Sequence, residues 1–524
     1  MDEVCGARIS HFRRHAPSLI GCTWCLIGHP GQPAQKKGYL NVQDNLFAQE
    51  LYFLVPQSNV KPSSNSFLCL DDNNSRKTNQ LKVLTHITYT PMAETAVSSC
   101  LLDLYPELQL EITQYIQLTP GWQIDLLNWS STCSKFRSFL APYIFSSITL
   151  RNTEKSGASV DLLAKSSYRQ FVRRLSFEGT AWGDMEDVFY DTEGILPAIV
   201  ESVISDLSQF PNLQTVSIKF DIDFHYGFDI SFRLFREPEL PEEMVKAEGE
   251  EAWRVLNTKV HAALARNVNP SFKKLELNSL LPAEASSFRT PEFRRLLGQM
   301  THFTLYCWRD EEELYALRTR PGYLTYVGKF HEIFFNHLTS VTHLSISADF
   351  TSMAIFGPRG YYSTFDISSR MPLLKDLRVD SVFIGADLVS FLTNNDTLEA
   401  IRFQNCTSGE SENYINIRIP WKDLFMALSD KKPTKLREFS VSPSHCFDPF
   451  DPPEAMGDEI ELVLEYLRTH PERRPFQYSQ IDDKYGYVLD AGSENLESFW
   501  LGDDQRAYDE LMRIVERNSE RSKN

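Results

Sequence analysis

The sequence predicts an α/β protein in which a small helical module precedes an irregular array of alternating strands and helices. The chain has 524 residues and 42% hydrophobic content, which is enough to bury one large core or several modest cores. Beyond residue 150, short segments with alternating apolar residues recur, and amphipathic helical patterns lie between them. Ahead of that array, two closely spaced apolar stripes indicate packed helices.

The helical module is assigned to residues 98–150. Pro106 suits the first turn of a helix because its missing N–H would have no partner there, and Glu107 complements the positive end of the helix dipole. One stripe has four-residue spacing and comprises Leu104, Leu108, Ile112 and Ile116. A second stripe has spacings of three and four and comprises Leu126, Trp129, Cys133, Phe136 and Leu140. About 50 residues bury too little surface for a good core, so we expect this module to pack on another domain or another protein.

These stripes resemble an F-box, the motif that binds the Skp-type adaptor of cullin-based ubiquitin ligases. F-boxes begin roughly as L-P-x-E-[LI]-x-x-x-I and end with C-x-x-F/W-x-x-L. Tyr105 stands where the family usually has its first proline, and the connection over 117–123 is longer than usual. The resemblance implies binding of the adaptor, and of a cullin through it, but leaves open which matched residues contact the adaptor and which pack internally. The matched positions are Leu104, Pro106, Glu107, Leu108, Ile112, Leu126, Cys133 and Phe136. A helical hairpin inside a core is the alternative interpretation.

The array beyond residue 150 contains eight predicted strands, most of them of the form apolar-x-x-apolar-x-apolar. These segments are 172–177, 213–218, 272–277, 303–306, 341–346, 374–379, 398–403 and 436–441. Apolar residues three and four apart predict helices over 195–210, 251–267, 291–300, 327–338, 386–394, 421–430 and 459–470. We therefore expect short parallel strands with helices covering one face.

This alternation resembles the irregular leucine-rich repeats that follow many fungal F-boxes, and it implies a solenoid in which each unit packs on its neighbours. A non-repeat α/β domain is the alternative, because the spacing varies widely and the Asn or Cys of a tight repeat is mostly absent. The repeat-like domain is assigned to 151–500. A terminal helix with a charged tail is assigned to 501–524 and is expected to fray after Arg517 while capping the open end of the solenoid.

Three further segments are expected to lack regular structure. Residues 1–97 carry Pro, Gln, Asn and Ser clusters without periodicity and are expected to be mostly disordered. One hypothesis is that translation starts at Met92 and that 1–91 are an artefact of the gene model; peptides from 1–91 in the native protein would refute it. The acidic stretch 237–251 is expected to be a solvated loop leading into a helix, or else a site for a basic partner. The aromatic loop 356–362 is expected either to carry recognition or to pack on the solenoid.

Composition excludes several classes of protein. A net charge of -17 and a pI near 5.3 argue against a general nucleic-acid binder. Nine scattered cysteines suggest no disulfide framework and favour a reducing compartment. The chain has no run of 18 apolar residues, so no transmembrane helix is expected. We therefore expect a cytoplasmic or nuclear protein that binds neither nucleic acid nor membrane.

No pattern in the sequence supports an enzyme. Phosphate-binding loops, dinucleotide fingerprints and nucleophile elbows are all missing from it. His331 and His337 lie six residues apart, which would turn their imidazoles away from each other on a helix and argues against a zinc-protease motif. Cys22 and Cys25 form the sole CxxC pair, with no second pair to complete a zinc site. We predict no catalytic residue, cofactor or metal.

The sequence therefore predicts the substrate-receptor subunit of an SCF-type (Skp–cullin–F-box) ubiquitin ligase, with an unknown target protein bound by the repeat domain. A protein-interaction scaffold of the same architecture, acting outside a ligase, is the alternative. An enzyme with an unrecognised site is a third interpretation, and it would require a deep pocket with converging polar groups.

Overall fold

A parallel sheet of nine strands organises the chain, and the strands stand side by side in the order in which they occur in the sequence. The computed structural model describes residues 104–117, 122–132, 134–182, 194–223, 240–268, 270–281, 283–307, 321–348, 371–411, 419–442, 457–481 and 488–523. Within these ranges the protein is α/β. The predictions for 1–97, for Cys22 and Cys25, for the start at Met92 and for the loop 356–362 concern residues outside these ranges.

Each strand of the large sheet pairs in parallel with its neighbours. The strands are β1 (Ser147–Arg151), β2 (Arg174–Trp182), β3 (Thr215–Asp223), β4 (Lys274–Leu280), β5 (His302–Cys307), β6 (His343–Ser347), β7 (Asp376–Asp380), β8 (Ala400–Gln404) and β10 (Glu438–Ser442). A second sheet has the order β12-β11-β9 and comprises β9 (Ser408–Ser411), β11 (Tyr478–Ile481) and β12 (Val488–Asp490).

All eight predicted strands are confirmed. Seven of these strands begin two residues after the first residue of the predicted segment. The reason is that this first apolar residue, such as Val341 or Leu374, is buried ahead of the hydrogen-bonded ladder. The first strand, β1, was not predicted and lies across the assigned boundary at residue 150.

Helices connect most of the strands. They are α1 (Pro106–Gln117), α2 (Trp122–Thr132), α3 (Ser134–Ile144), α4 (Glu154–Lys165), α5 (Ala198–Ser205), α6 (Pro241–Glu250), α7 (Ala252–Ala265), α8 (Pro291–Gly298), α9 (Pro321–Gly328), α10 (Phe330–Ile333), α11 (Ala386–Asn394), α12 (Trp421–Lys431), α13 (Gly457–Thr469), α14 (Gly492–Leu501) and α15 (Asp503–Lys523).

Three helices correct the predictions. The acidic stretch expected as a loop contains α6, because Glu243 accepts a hydrogen bond from the Leu240 N–H and so caps its first turn. The predicted helix 327–338 is broken into α9, α10 and a 3-10 turn at Phe335–His337. The last helix, α15, continues to Lys523 instead of fraying after Arg517.

The core lies on one face of the large sheet. Two rows of side chains on this face are buried on all nine strands, and helices pack over them. One row is Ile148, Leu175, Val216, Leu275, Phe303, Leu344, Leu377, Ile401 and Phe439, and the other is Leu150, Phe177, Ile218, Leu277, Leu305, Ile346, Val379, Phe403 and Val441. Helix packing is close at Gly157 of α4, where a Cβ would lie 2.6 Å from Cγ2 of Ile199.

The last helix packs against α12 and β10. Its Tyr508, Leu511 and Val515 are buried, and the Asn518 amide donates hydrogen bonds to the carbonyls of Pro433 (2.6 Å) and Leu436 (3.0 Å).

A buried carboxylate, Asp504, fixes the start of α15. It accepts hydrogen bonds from the Lys422 N–H (2.8 Å), the Tyr478 hydroxyl (2.8 Å) and the Ser498 hydroxyl. Asp504 thus joins the start of α15 to the second sheet and to α12.

Candidate protein-binding surfaces

An exposed apolar stripe runs along the outer side of α1. Tyr105 is 76% exposed, Leu108 is 44% exposed and Tyr115 is 66% exposed, and half-buried Ile112 lies between them. Their spacings of three, four and three residues place all four on one side of the helix. A row of large apolar side chains in water is typical of a surface that another protein covers.

The inner side of α1 explains why these residues point outward. Gln109 and Thr113 are buried, and Ile116 packs against the core. The Gln109 amide donates to the Leu104 carbonyl (3.0 Å), and the Thr113 hydroxyl donates to the Gln109 carbonyl (2.8 Å). The helix therefore satisfies its buried polar groups locally and leaves its largest apolar groups unburied.

The eight sequence-predicted positions divide between surface and core. Glu107 and Leu108 are exposed, while Leu104 and Ile112 are half-buried. Pro106 is the first residue of α1, and its side chain is not described; Cys133, between α2 and α3, lies outside the described residues. Leu126 and Phe136 belong to the core, where they are 0% and 4% exposed.

The two buried positions hold the module together. The rings of Trp129 and Phe136 lie 4.8 Å apart, centroid to centroid, across the junction of α2 and α3. Phe145, which follows α3, stacks on Tyr168 at 4.9 Å next to the large sheet. Leu126 and Phe136 thus support the module internally, which resolves for these two residues the alternative that the sequence left open.

Sequence reasoning missed Tyr105 and Tyr115 as surface anchors. Tyr105 was noted only as a departure from the family pattern. The available signal was spacing, because residues 105, 108, 112 and 115 share a helix side as well as 104, 108, 112 and 116 do. From the sequence alone, the exposed stripe could not be distinguished from the more buried stripe on the adjacent side of α1, because the packing of the helix was not known.

A second candidate surface is the polar sheet face, the side of the large sheet opposite the core. Two rows of mostly polar side chains cross it. One row is Ser147, Arg174, Thr215, Lys274, His302, His343, Asp376, Ala400 and Glu438, and the other is Thr149, Ser176, Ser217, Glu276, Thr304, Ser345, Arg378, Arg402 and Ser440. In the described part of the chain, no helix lies between the paired strands, so both rows run across the whole sheet.

Ion pairs neutralise much of the charge on the polar sheet face. Arg174 reaches over β3 to bind Glu276 through two hydrogen bonds of 3.0 and 2.5 Å, which covers the small side chains of β3. Arg402 bonds both Asp376 (2.7 Å) and Glu438 (2.6 and 2.8 Å), and these carboxylates raise its pKa. Such clamped guanidinium groups present fixed geometry with little net charge.

The centre of this face is formed by β5 and β6. The imidazoles of His302 and His343 are register partners and stack with centroids 4.0 Å apart and planes 4° apart. Partial burial, His343 and Lys274 lower the pKa of His302 to about 4, and Asp376 opposes them.

The described residues offer no cluster of side chains suited to holding a metal ion. No group of three or more His, Cys, Asp or Glu side chains in this part of the chain has the geometry to hold a metal ion. The two histidines of the near-miss zinc motif are bound to the backbone, His331 Nδ1 at 2.9 Å from the Gly328 carbonyl and His337 Nε2 at 2.9 Å from the Glu332 carbonyl. Burial raises the pKa of both Cys307 and Cys406 to about 12, which keeps each thiol protonated.

Comparisons with known proteins add no assignment: no protein-family model matches the chain, and no curated protein matches it. Within the described ranges, no helix has both the length and the apolar character that a membrane span requires.

Proposed function

We propose that this chain is a substrate-receptor subunit of an SCF-type ubiquitin ligase, in which α1–α3 act as an F-box. The observation that carries the proposal is the exposed stripe of Tyr105, Leu108, Ile112 and Tyr115 on α1, in a module whose matched residues Leu126 and Phe136 are buried. The Skp-type adaptor would cover this stripe, and a cullin would join through the adaptor.

The target protein would bind the large sheet, which we interpret as a leucine-rich-repeat-like solenoid. Strand order supports this interpretation, because strands added one after another on the same side are what a repeat of strand–helix units produces. The polar sheet face would receive the target. Catalysis would then be by proximity, since holding the target near a charged ubiquitin carrier raises its effective concentration. The ligase would act in the cytoplasm or nucleus.

Co-expression of the full chain with the Skp-type adaptor tests the proposal. The double variant Leu108→Glu/Tyr115→Glu places two charges in the stripe and should weaken capture by at least ~30-fold, the loss expected for hot-spot residues. Leu162→Glu on α4 is the matched control, because Leu162 is 45% exposed and lies outside the module. It should be captured like the wild type.

Capture of the double variant as strong as that of the wild type would refute the role of the stripe. No capture of a wild-type chain that is folded by circular dichroism would favour the second candidate, an interaction scaffold outside a ligase. Tyr105 is the feature that favours this alternative, because it occupies the usual proline position and is 76% exposed.

A further inference from the structure

Two histidines that are 41 positions apart in the sequence meet at the centre of the polar sheet face. His302 on β5 and His343 on β6 occupy the fifth and sixth of the nine strands and are direct register partners. Their rings are parallel to within 4° at a centroid distance of 4.0 Å. His302 is half-buried and His343 is exposed, so this stack lies at the protein–water boundary.

The preceding threonines hold Nδ1 of both rings. The Thr301 hydroxyl lies 3.2 Å from the Lys273 carbonyl, and the Thr342 hydroxyl lies 3.0 Å from the Thr301 carbonyl. The same hydroxyl oxygens lie 3.0 Å from Nδ1 of His302 and 2.9 Å from Nδ1 of His343, within hydrogen-bond distance. Both rings are therefore anchored on their Nδ1 side by the residue that precedes them.

The charged groups closest in register to the pair lie on β4 and β7. On β4, Lys274 is the register partner of His302 and has no ion pair in the described structure, while nearby Glu276 is bound by Arg174. On β7, Asp376 is the register partner of His343, but it is bound by Arg402 of β8, and Arg378 bonds the Gln404 side chain. The nearest carboxylates are thus already paired with arginines, whereas the ammonium of Lys274 has no ion pair with any residue that the structure describes.

We infer that His302 and His343 form a coupled proton switch at the centre of the polar sheet face. In the neutral state the stacked rings carry no charge at a centroid separation of 4.0 Å. The first proton places a positive charge on one ring, and the second proton is resisted by the first because like charges this close couple their titrations. Acidification therefore adds positive charge to this part of the surface.

The switch predicts a direction for any partner that binds here. A partner that buries the two uncharged rings would bind at neutral pH and be released on acidification, because burying a charged imidazole costs free energy. A metal ion fits less well, because two imidazoles on Zn²⁺ require their nitrogens about 3.3 Å apart and converging, whereas these rings are parallel.

The test is an NMR titration of the full chain carrying ¹³C-labelled histidine, with the ring resonances assigned by single substitutions. We expect His302 to titrate at least about one unit below 6.5, and the pair to take up protons in two separate steps. His343→Phe keeps a ring in the stack without its charge, and Lys274→Met removes the ammonium at an exposed position. Each should raise the pKa of His302 by at least about half a unit.

Lys329→Met is the matched control, because its ammonium lies beside Glu284, away from this pair, and its loss should leave His302 unchanged. Titration of His302 near 6.5 in the wild type would overturn the inference. So would a His302 pKa that is low but insensitive to both His343→Phe and Lys274→Met, since burial alone would then be its cause. Neither result depends on adaptor capture, so the switch and the ligase proposal can fail separately.

Discussion

The buried imidazole of His261 on α7 should make the unfolding free energy depend on pH. This residue is 1% exposed, and its ring lies 4.7 Å from Phe288 and 6.0 Å from Phe293, centroid to centroid. Nδ1 lies 2.9 Å from the Asn257 carbonyl and carries the hydrogen, because a carbonyl can only accept. Nε2 has no hydrogen-bond partner in the described part of the chain. Burial lowers the pKa of His261 to about 4, partly offset by the hydrogen bond to Asn257.

The sign of the effect follows from the two pKa values. Between about pH 6.5 and pH 4 the unfolded chain carries a proton on this residue and the folded chain does not, so acid favours unfolding. Each pH unit in this window costs ~1.4 kcal/mol, which gives about 2 kcal/mol between pH 7.5 and pH 5. Above about pH 7.5 the residue is almost entirely neutral in both states and contributes little further pH dependence.

His261→Phe removes the titrating group and leaves an aromatic ring in an aromatic cluster. Urea unfolding followed by circular dichroism at pH 7.5, 6.5, 5.5 and 5.0 should show that the variant loses about 2 kcal/mol less than the wild type over this range. Phe293→Leu is the control, because it disturbs the same cluster without removing a titratable group, so its effect should be similar at every pH. Parallel pH profiles for the wild type and His261→Phe would refute the reasoning.

Two further predictions concern stability. Gly157→Ala should lower the unfolding free energy by about 1–3 kcal/mol, because the added Cβ would overlap Ile199. Gly249→Ala on exposed α6 should raise it by about 0.5 kcal/mol, because a Cβ there meets nothing within 4 Å. Equal effects of the two variants in urea unfolding would contradict the packing argument. Asp504→Ala should cost about 3 kcal/mol, because it leaves the Lys422 N–H and the Tyr478 hydroxyl without their acceptor. Limited proteolysis should then cut α15 first, and an unchanged cleavage pattern would contradict this role.

The strands were predictable because each combines a local apolar pattern with a buried anchor. Leu398 and Leu436, for example, are buried just ahead of β8 and β10. The strand β1 was missed because Ile148 and Leu150 follow a helix directly, without a breaker. For α6, the acidic residues dominated the prediction, although Met244 provides an apolar contact that buries one side of the helix.

The candidate surfaces were only partly predictable. Leu108 and Ile112 belong both to the predicted stripe and to the exposed one, but the sequence alone could not show that Phe136 faces the core while Tyr115 faces water. The pairing of His302 with His343 depends on the register of two strands separated by a long connection. Register is set by the packing of the whole sheet, which no local pattern records.

The order of the nine strands also bears on how the chain is synthesised. Each strand of the large sheet after β1 finds its pairing partner already made when it leaves the ribosome, so this sheet can grow in one direction as translation proceeds. Throughout this growth the newest strand is an unpaired edge, which is a template for association with other chains. Only when α15 emerges, after every strand, can it pack on β10 and its Asn518 hold the Leu436 carbonyl. Chains that stall before α15 should therefore be the ones that aggregate or need chaperones.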